Sequence, residues 1–279
     1  MNFDQREYLS NAEERVKHLQ EVVAGRPVAI LAAGISIHEL EERIEELRNS
    51  DICYFGLTSY TVQEVHILQK ISKYFSVVMC SAREGIPKAI GDITNFLDRD
   101  EDNMFISSFW RNTFELMGAD FDLQQFFIKY DKKLIFFSLD FRSIFPNVLY
   151  PLHFMVSNSL LVLIQMAIVG KASSIVLFGA DGGSKNDAKE WYHRQNDIGH
   201  RGPVDMFSCD YIVSPKEHLL NDTNKYFNPI AQIALDNLYN TYGFAPIEIL
   251  NCSEDSLYTP FPKVSYDAAF KHLTTKGIL

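Results

Sequence analysis

The chain has 279 residues, enough for one large domain or two small ones, and 47% of them are hydrophobic, with 21 Phe and 13 Tyr. This content is sufficient for a packed core and is not typical of a disordered chain. The formal net charge of −10 excludes a general electrostatic attraction to nucleic acid, although a local basic pocket for a small anion stays open.

The lack of a predicted signal peptide and the spacing of the cysteines favour a soluble protein with reduced thiols. The first twenty residues carry charges throughout and predict no signal peptide. The most apolar segment, LLVLIQMAIVG at 160–170, is too short to cross a bilayer. Four cysteines without a CxxC pair match no zinc site and indicate free thiols. We therefore expect a cytoplasmic protein, with peripheral contact at the inner membrane left open.

The first elements in chain order are a charged helix, a strand and a second helix. Residues 4–24 predict a helix with a thin apolar stripe, which serves as a packing arm or as an element of a homo-oligomer. The apolar run PVAILAAG at 27–34 predicts a strand and a tight turn. The next helix has Ser36 as a capping residue. Its apolar positions recur at helical spacing and are Ile37, Leu40, Ile44 and Leu47.

Strands and helices alternate along the rest of the chain. Further strands are predicted at 51–57, 76–82, 102–109, 132–139, 173–180 and 245–252. Because these strands are apolar runs and do not alternate with polar residues, both faces of the sheet are expected to be covered. The fold predicted is α/β, a doubly wound, mostly parallel Rossmann-like sheet with helices on both faces. We expect an N-terminal helix at 1–25 and a single domain at 26–279, with a lid-like insertion at about 183–222.

In open α/β sheets, ligands bind beyond the carboxyl ends of the strands, so residues just after strands are candidates. Gly34 and Ser36 follow the first strand, where glycine permits close approach of a ligand and the helix start attracts anions. An ordinary turn glycine and capping serine remain the alternative. Only one of the three glycines of the dinucleotide fingerprint is present, and no acidic residue is clearly placed after the second strand, which argues against NAD.

A second candidate lies at the start of the apolar helix near residue 160. Ser157, Asn158 and Ser159 place three capping side chains where one suffices. The surplus side chains are candidates for contact with a substrate, together with the free N–H groups of the helix start.

The third candidate is the stretch after the strand at 173–180. Gly179, Asp181 and Gly182 bring an acidic side chain to the edge of the sheet and free the chain to leave it. A carboxylate there binds ligand hydroxyls or a cation.

Four chemically active side chains follow in the predicted lid, namely Tyr192, His193, Arg194 and His200. Arginine and tyrosine suit a phosphate group, and histidine suits general acid–base chemistry near neutral pH. A metal site on Asp181, His193 and His200 is the rival use of the region. The seven-residue spacing of the two histidines does not fit a helical HExxH pair, and no metal is predicted.

Three segments resemble one known superfamily in the correct order. They are AAGISIHEL, the serine-rich helix start with IQMAIVGKASSIVLFGADGG, and EILNCSEDSLYTPFPKVS. They are similar to the motility-accessory-factor-like Rossmann proteins and to the bacterial lipooligosaccharide sialyltransferases, whose IGH segment resembles DIGH at 197–200. In this chain Ile35 stands where the superfamily has a glycine–proline turn.

The resemblance implies a nucleotide-sugar glycosyltransferase. It implies a CMP-activated nine-carbon sugar as donor, a glycan or protein acceptor, inversion at the anomeric carbon and no required cofactor. His200 would deprotonate the acceptor and Tyr192 would hold the leaving phosphate. From their residue types, His193 is a further catalytic candidate and Arg194 a candidate for binding the substrate. The residues that would line the nucleotide are Gly34, Ser36, Ser157, Asn158, Ser159, Gly179 and Asp181, and Gly182 adjoins them.

Two other functions stay open from the sequence. A hydroxymethylpterin pyrophosphokinase-like enzyme would use Asp181 to hold Mg²⁺, although its DxDG-like acidic segment is not found here. A non-catalytic nucleotide-binding or scaffold protein is the third function, and the altered glycine turn favours it.

Overall fold

The computed structural model of the chain describes residues 12–32, 34, 36–47, 50–57, 75–79, 94–98, 103–108, 122–139, 153–154, 159–182 and 227–276. The described strands form one sheet. Their bounds are β1 Pro27–Leu31, β2 Cys53–Leu57, β3 Phe75–Met79, β4 Met104–Ser108, β5 Leu134–Leu139, β6 His153–Phe154, β7 Ser174–Phe178 and β8 Glu248–Asn251.

Helices connect these strands. Their bounds are α1 Ala12–Val23, α2 Ile37–Arg43, α3 Leu123–Tyr130, α4 Ser159–Val169, α5 Asn228–Asp236 and α6 Tyr266–Lys276. A 3₁₀ turn at Ile44–Leu47 prolongs α2, and a π turn at Asn237–Thr241 prolongs α5. Gly243 follows the π turn with φ +71°, a left-handed conformation that suits glycine and ends the helix.

The strand order places β1 and β7 side by side in the sheet. Across the described strands the order is β6-β5-β4-β3-β2-β1-β7-β8, and every neighbouring pair is parallel. The chain thus moves away from β1 in one direction through β6 and returns to its other side at β7. Leu31 pairs with Phe178, so the carboxyl ends of β1 and β7 are level. This is the point where ligands bind in open α/β sheets.

Buried side chains cover both faces of the central strands. One core cluster joins α1, α4 and α5 to one side of β1 and β7, and it includes Val28, Ile30, Ile175 and Leu177. The second joins α2, α3 and α6 to the other side, and the alternate residues of the same strands belong to it. The pleat of a strand sends successive side chains to opposite faces, which explains this division.

The prediction of an α/β fold with a parallel sheet and helices is confirmed. The four apolar positions predicted for α2, from Ile37 to Leu47, are all buried. The doubly wound course stays a prediction because several connections lie outside the described residues, and so does the lid at 183–222. None of the helices in the described ranges combines the length and the apolar character that crossing a membrane would need.

Two elements were missed from the sequence. The first is β6, only two residues long, where His153 and Phe154 pair with the end of β5. The second is α6, whose buried residues Tyr266, Ala269, Phe270 and Leu273 recur at helical spacing. The omission of α6 matters for the site because Tyr266 reaches the turn after β1.

Candidate ligand site

Residues that are far apart in the sequence meet at the carboxyl ends of β1 and β7. The backbone N–H of Gly34 donates to the carbonyl of Gly179 at 2.8 Å, which extends the pairing of the two strands by one step. The turns that follow β1 and β7 are therefore fixed against each other. Four of the predicted site residues, Gly34, Ser36, Gly179 and Asp181, lie at this junction.

The carboxylate of Asp181 is the centre of the junction. It accepts a hydrogen bond from the hydroxyl of Ser36 at 2.5 Å and another from the backbone N–H of Ser36 at 3.1 Å. Only 9% of Asp181 is exposed. A negative side chain at the start of a helix is stabilised by the N–H groups there and by the helix dipole. Asp181 thus supplies the cap of α2 from 145 residues away in the chain.

The structure corrects the role predicted for Ser36. Ser36 occupies the position before α2, but its hydroxyl makes no capping bond to the helix and turns to Asp181 instead. Ser36 has a helical backbone, with φ −61° and ψ −11°, whereas a residue whose side chain caps a helix usually has an extended one. The anion expected at this helix start is therefore, in the described structure, a side chain of the protein itself.

The close approach of the two turns requires glycine at positions 34 and 179. A Cβ atom on Gly34 would collide with the Asp181 carboxylate and with the carbonyl of Gly179. Gly179 adopts φ +66°, and a Cβ there would press on the carbonyl of Ala32. Close approach of the two turns therefore accounts for both glycines without a ligand, which agrees with the alternative kept open for Gly34.

Tyr266, at the start of α6, completes the junction. Its hydroxyl donates to the carbonyl of Ser36 at 2.6 Å, so both backbone groups and the hydroxyl of Ser36 are engaged. Burial raises the pKa of Tyr266, which keeps its hydroxyl protonated and able to donate. The ring packs against Phe178 and Phe270, with centroid distances of 5.4 and 6.0 Å. The sequence signal for Tyr266 was the helical spacing of α6.

A buried polar network holds the strand end that carries Asp181. The side-chain amide of Asn251 donates to the carbonyl of Ala180 at 3.1 Å and to the hydroxyl of Ser256 at 2.9 Å. Ser256 in turn donates to Ala180, and the N–H of Leu257 donates to the carbonyl of Asp181 at 2.9 Å. The NCSEDS segment, which begins at the last residue of β8, therefore holds the turn after β7 in place.

Gly182 is the last described residue before the predicted lid. It has φ +68°, and a Cβ there would touch the ring of Tyr258 at 3.1 Å. Tyr258 packs against Phe227 in a tilted arrangement, with ring centroids 4.2 Å apart. Gly182 therefore lies beside a pair of aromatic rings.

Ser159 lies at the same edge of the sheet on the opposite face. It begins α4, which follows β6 and packs against β1, β2 and β3. Because α4 runs from the carboxyl end of β6 to the amino end of β7, its first turn stands at the carboxyl edge. The remaining candidates fall outside the described residues, namely Ser157, Asn158, Tyr192, His193, Arg194 and His200.

The described part of the chain contains no cluster of three or more His, Cys, Asp or Glu side chains that could hold a metal ion. The histidines of the rival metal site, His193 and His200, lie outside it.

The fold and the junction define a parallel α/β protein whose candidate ligand site is the carboxyl edge shared by β1 and β7. Comparisons of the chain with protein-family models, with curated proteins and with solved structures find no match.

Proposed function

We propose that the protein is a nucleotide-sugar glycosyltransferase of the sialyltransferase-like type. The nucleotide of a CMP-activated nine-carbon sugar binds at the carboxyl edge of β1 and β7, and the sugar passes to a glycan or protein acceptor. The observation that carries this proposal is the meeting of Gly34, Ser36 and Asp181 at the point where the strand order changes direction. Ligands of open α/β sheets bind at such points.

The placement of the helices supports a site for an anionic ligand. The start of α2 is on one face of the sheet and the start of α4 is on the other, and both point to this edge. The Asp181 carboxylate already lies at the start of α2, where it accepts from the N–H of Ser36, so the first turn of α4 is the better place for an anion. Ser159 begins that turn, and Ser157 and Asn158 come directly before it in the sequence. All three would line the phosphate or the base.

The reaction is a single displacement at the anomeric carbon. The acceptor hydroxyl oxygen forms a bond to this carbon while His200 takes the hydroxyl proton. The bond between the carbon and the phosphate oxygen breaks, and CMP leaves with the electron pair, so the configuration inverts. Tyr192 and Arg194 stabilise the negative charge that develops on the phosphate. The roles of His200 and Tyr192 come from the resemblance to the sialyltransferases, and that of Arg194 comes from the affinity of arginine for phosphate.

Calorimetry and thermal shift with CMP, UDP, GDP, NAD and ATP with Mg²⁺ test the ligand class. Binding of CMP, with a rise in melting temperature that grows with its concentration, supports the proposal. Binding of ATP only in the presence of Mg²⁺ would support the pyrophosphokinase alternative, and no binding would support a scaffold.

Replacement of the proposed base tests the chemistry. We expect His200→Ala to lower turnover of a CMP-sugar by about 10²–10⁴-fold and to leave CMP affinity unchanged, because the histidine acts on the acceptor. His18→Ala, on α1 beside Glu21, is the matched control and should keep both properties. Full turnover by His200→Ala would remove this residue from the mechanism.

A further inference from the structure

We propose that Asp181 and Tyr266 are positioning residues, which set the turn after β1 through Ser36 and do not themselves touch the ligand. The inference deepens the proposed function and rests on it for the identity of the ligand only. It assigns Asp181 a role different from the direct substrate contact that its place at the sheet edge predicts.

Ser36 is held on every polar group that it possesses. Its hydroxyl and its N–H donate to Asp181, at 2.5 and 3.1 Å, and its carbonyl accepts from Tyr266 at 2.6 Å. Asp181 belongs to the turn after β7, and Tyr266 belongs to α6. A residue next to the candidate site is therefore fixed by two elements that are remote from it in the sequence.

The carboxylate of Asp181 is buried and already hydrogen-bonded, which argues against direct contact with a ligand. Both of its oxygens accept from Ser36, and 9% of the residue is exposed. Its backbone carbonyl accepts from Leu257, so the residue is held from the side of β8 as well. A ligand could reach this carboxylate only through the small part of the residue that is exposed.

Tyr266 is built to hold one position. It is 4% exposed, and its ring forms a three-ring cluster with Phe178 and Phe270. Packing in this cluster limits the movement of the ring, so its hydroxyl is held as a donor. Tyr266→Phe keeps the aromatic ring and removes the hydroxyl, which bonds to Ser36 and also to the backbone of Leu40.

Hydrogen–deuterium exchange of the full chain without ligand tests the positioning directly. We expect Tyr266→Phe and Asp181→Asn to speed exchange in residues 36–40 by about fivefold, the effect of one ordinary hydrogen bond. Tyr130→Phe is the matched control, since that hydroxyl donates to Asp98 at 3.0 Å and its ring packs on Phe126. It should leave residues 36–40 unchanged.

Calorimetry with CMP on the same variants completes the test. Tyr266→Phe should weaken CMP binding by about fivefold, whereas Tyr130→Phe should not, although each loses its hydroxyl. Unchanged exchange in Tyr266→Phe, or equal exchange in both variants, would overturn the inference. Faster amide exchange in residues 36–40 of Tyr266→Phe with unaltered CMP affinity would overturn it too. If the wild type binds no nucleotide, the proposed function fails, and the exchange result alone decides whether Asp181 and Tyr266 position the turn.

Discussion

The two ends of β1 are each held by one charged side chain, and the two charges are balanced differently. At the amino end, the guanidinium of Arg26 donates to the carbonyls of Val22 and Ile52 at 2.9 and 3.3 Å, and it forms an ion pair with Asp51 at 2.8 Å. At the carboxyl end, Asp181 accepts from Ser36. Within the described residues Asp181 forms no ion pair, so only neutral donors and the start of α2 balance its charge.

This difference separates a structural joint from a candidate ligand site. At the amino end the charge of Arg26 is neutralised by the carboxylate of Asp51, and the guanidinium also donates to two backbone carbonyls. The carboxyl end keeps a negative charge close to the edge where ligands of such folds bind. A negatively charged ligand at this edge would have to lie away from the Asp181 carboxylate, as the proposed placement of the phosphate at the first turn of α4 requires.

Removal of the guanidinium at the amino end should have the largest effect on stability. We expect Arg26→Met to lower the free energy of unfolding by about 3 kcal/mol, because the Val22 and Ile52 carbonyls lose a donor while partly shielded from water. Urea denaturation measures this change. Asp51→Asn is the control, and it should cost less than about 1 kcal/mol because that carboxylate is largely exposed. Equal losses in the two variants would contradict the assignment of the stability to the carbonyl contacts.

The glycines at the two ends allow a second, smaller comparison. Gly34→Ala should cost about 2 kcal/mol, because the new Cβ collides with Asp181 and the two turns must separate. Gly25→Ala should cost about 1 kcal/mol, because φ is +77° there but the space is open. Chemical denaturation gives both values.

The same two variants should also differ at the ligand site. Gly34→Ala should speed amide exchange in residues 36–40, and Gly25→Ala should not, because only the first change disturbs the bond between Asp181 and Ser36. If Gly25→Ala loosened this turn equally, the two ends of β1 would be coupled and the contrast drawn between them would be wrong.

Local patterns predicted most of the fold because the signals are local. The apolar spacing from Ile37 to Leu47 indicated α2, and the continuous apolar run of β7 indicated a strand buried on both faces. The two-residue β6 is too short to give a periodic signal. The helical spacing of Tyr266, Ala269, Phe270 and Leu273 is present in the sequence, so α6 was predictable from it.

The candidate site was predictable in position but not in its contacts. Parallel strands place Gly34 and Asp181 at one edge whatever their partners are, and that much follows from chain order. That Asp181 bonds to Ser36, 145 residues away, depends on the packing of β1 against β7 and on the distance between two turns. Tyr266 could not be linked to the site without knowing which face of the sheet α6 covers. The lid residues, with His200, remain predictions.

The exposed ion pair between Lys129 and Asp98 should have the smallest effect on stability among these charged contacts. The hydrogen bond from Lys129, at 2.8 Å, lowers the pKa of Asp98 below its ordinary value. A lowered carboxyl pKa contributes stability above the ordinary pKa of about 4, and the contribution is lost as the pH falls through the folded value. The stability gap between wild type and Asp98→Asn should therefore be small near neutral pH and should shrink as the pH falls below about 4. Urea midpoints at neutral pH and at about pH 3 measure the gap, with the exposed Glu13→Gln on α1 as control. A stability gap that stays constant on acidification would show that Lys129 does not act on the charged form of Asp98. The exposed pair could then not serve as a standard of comparison for the buried carboxylate of Asp181.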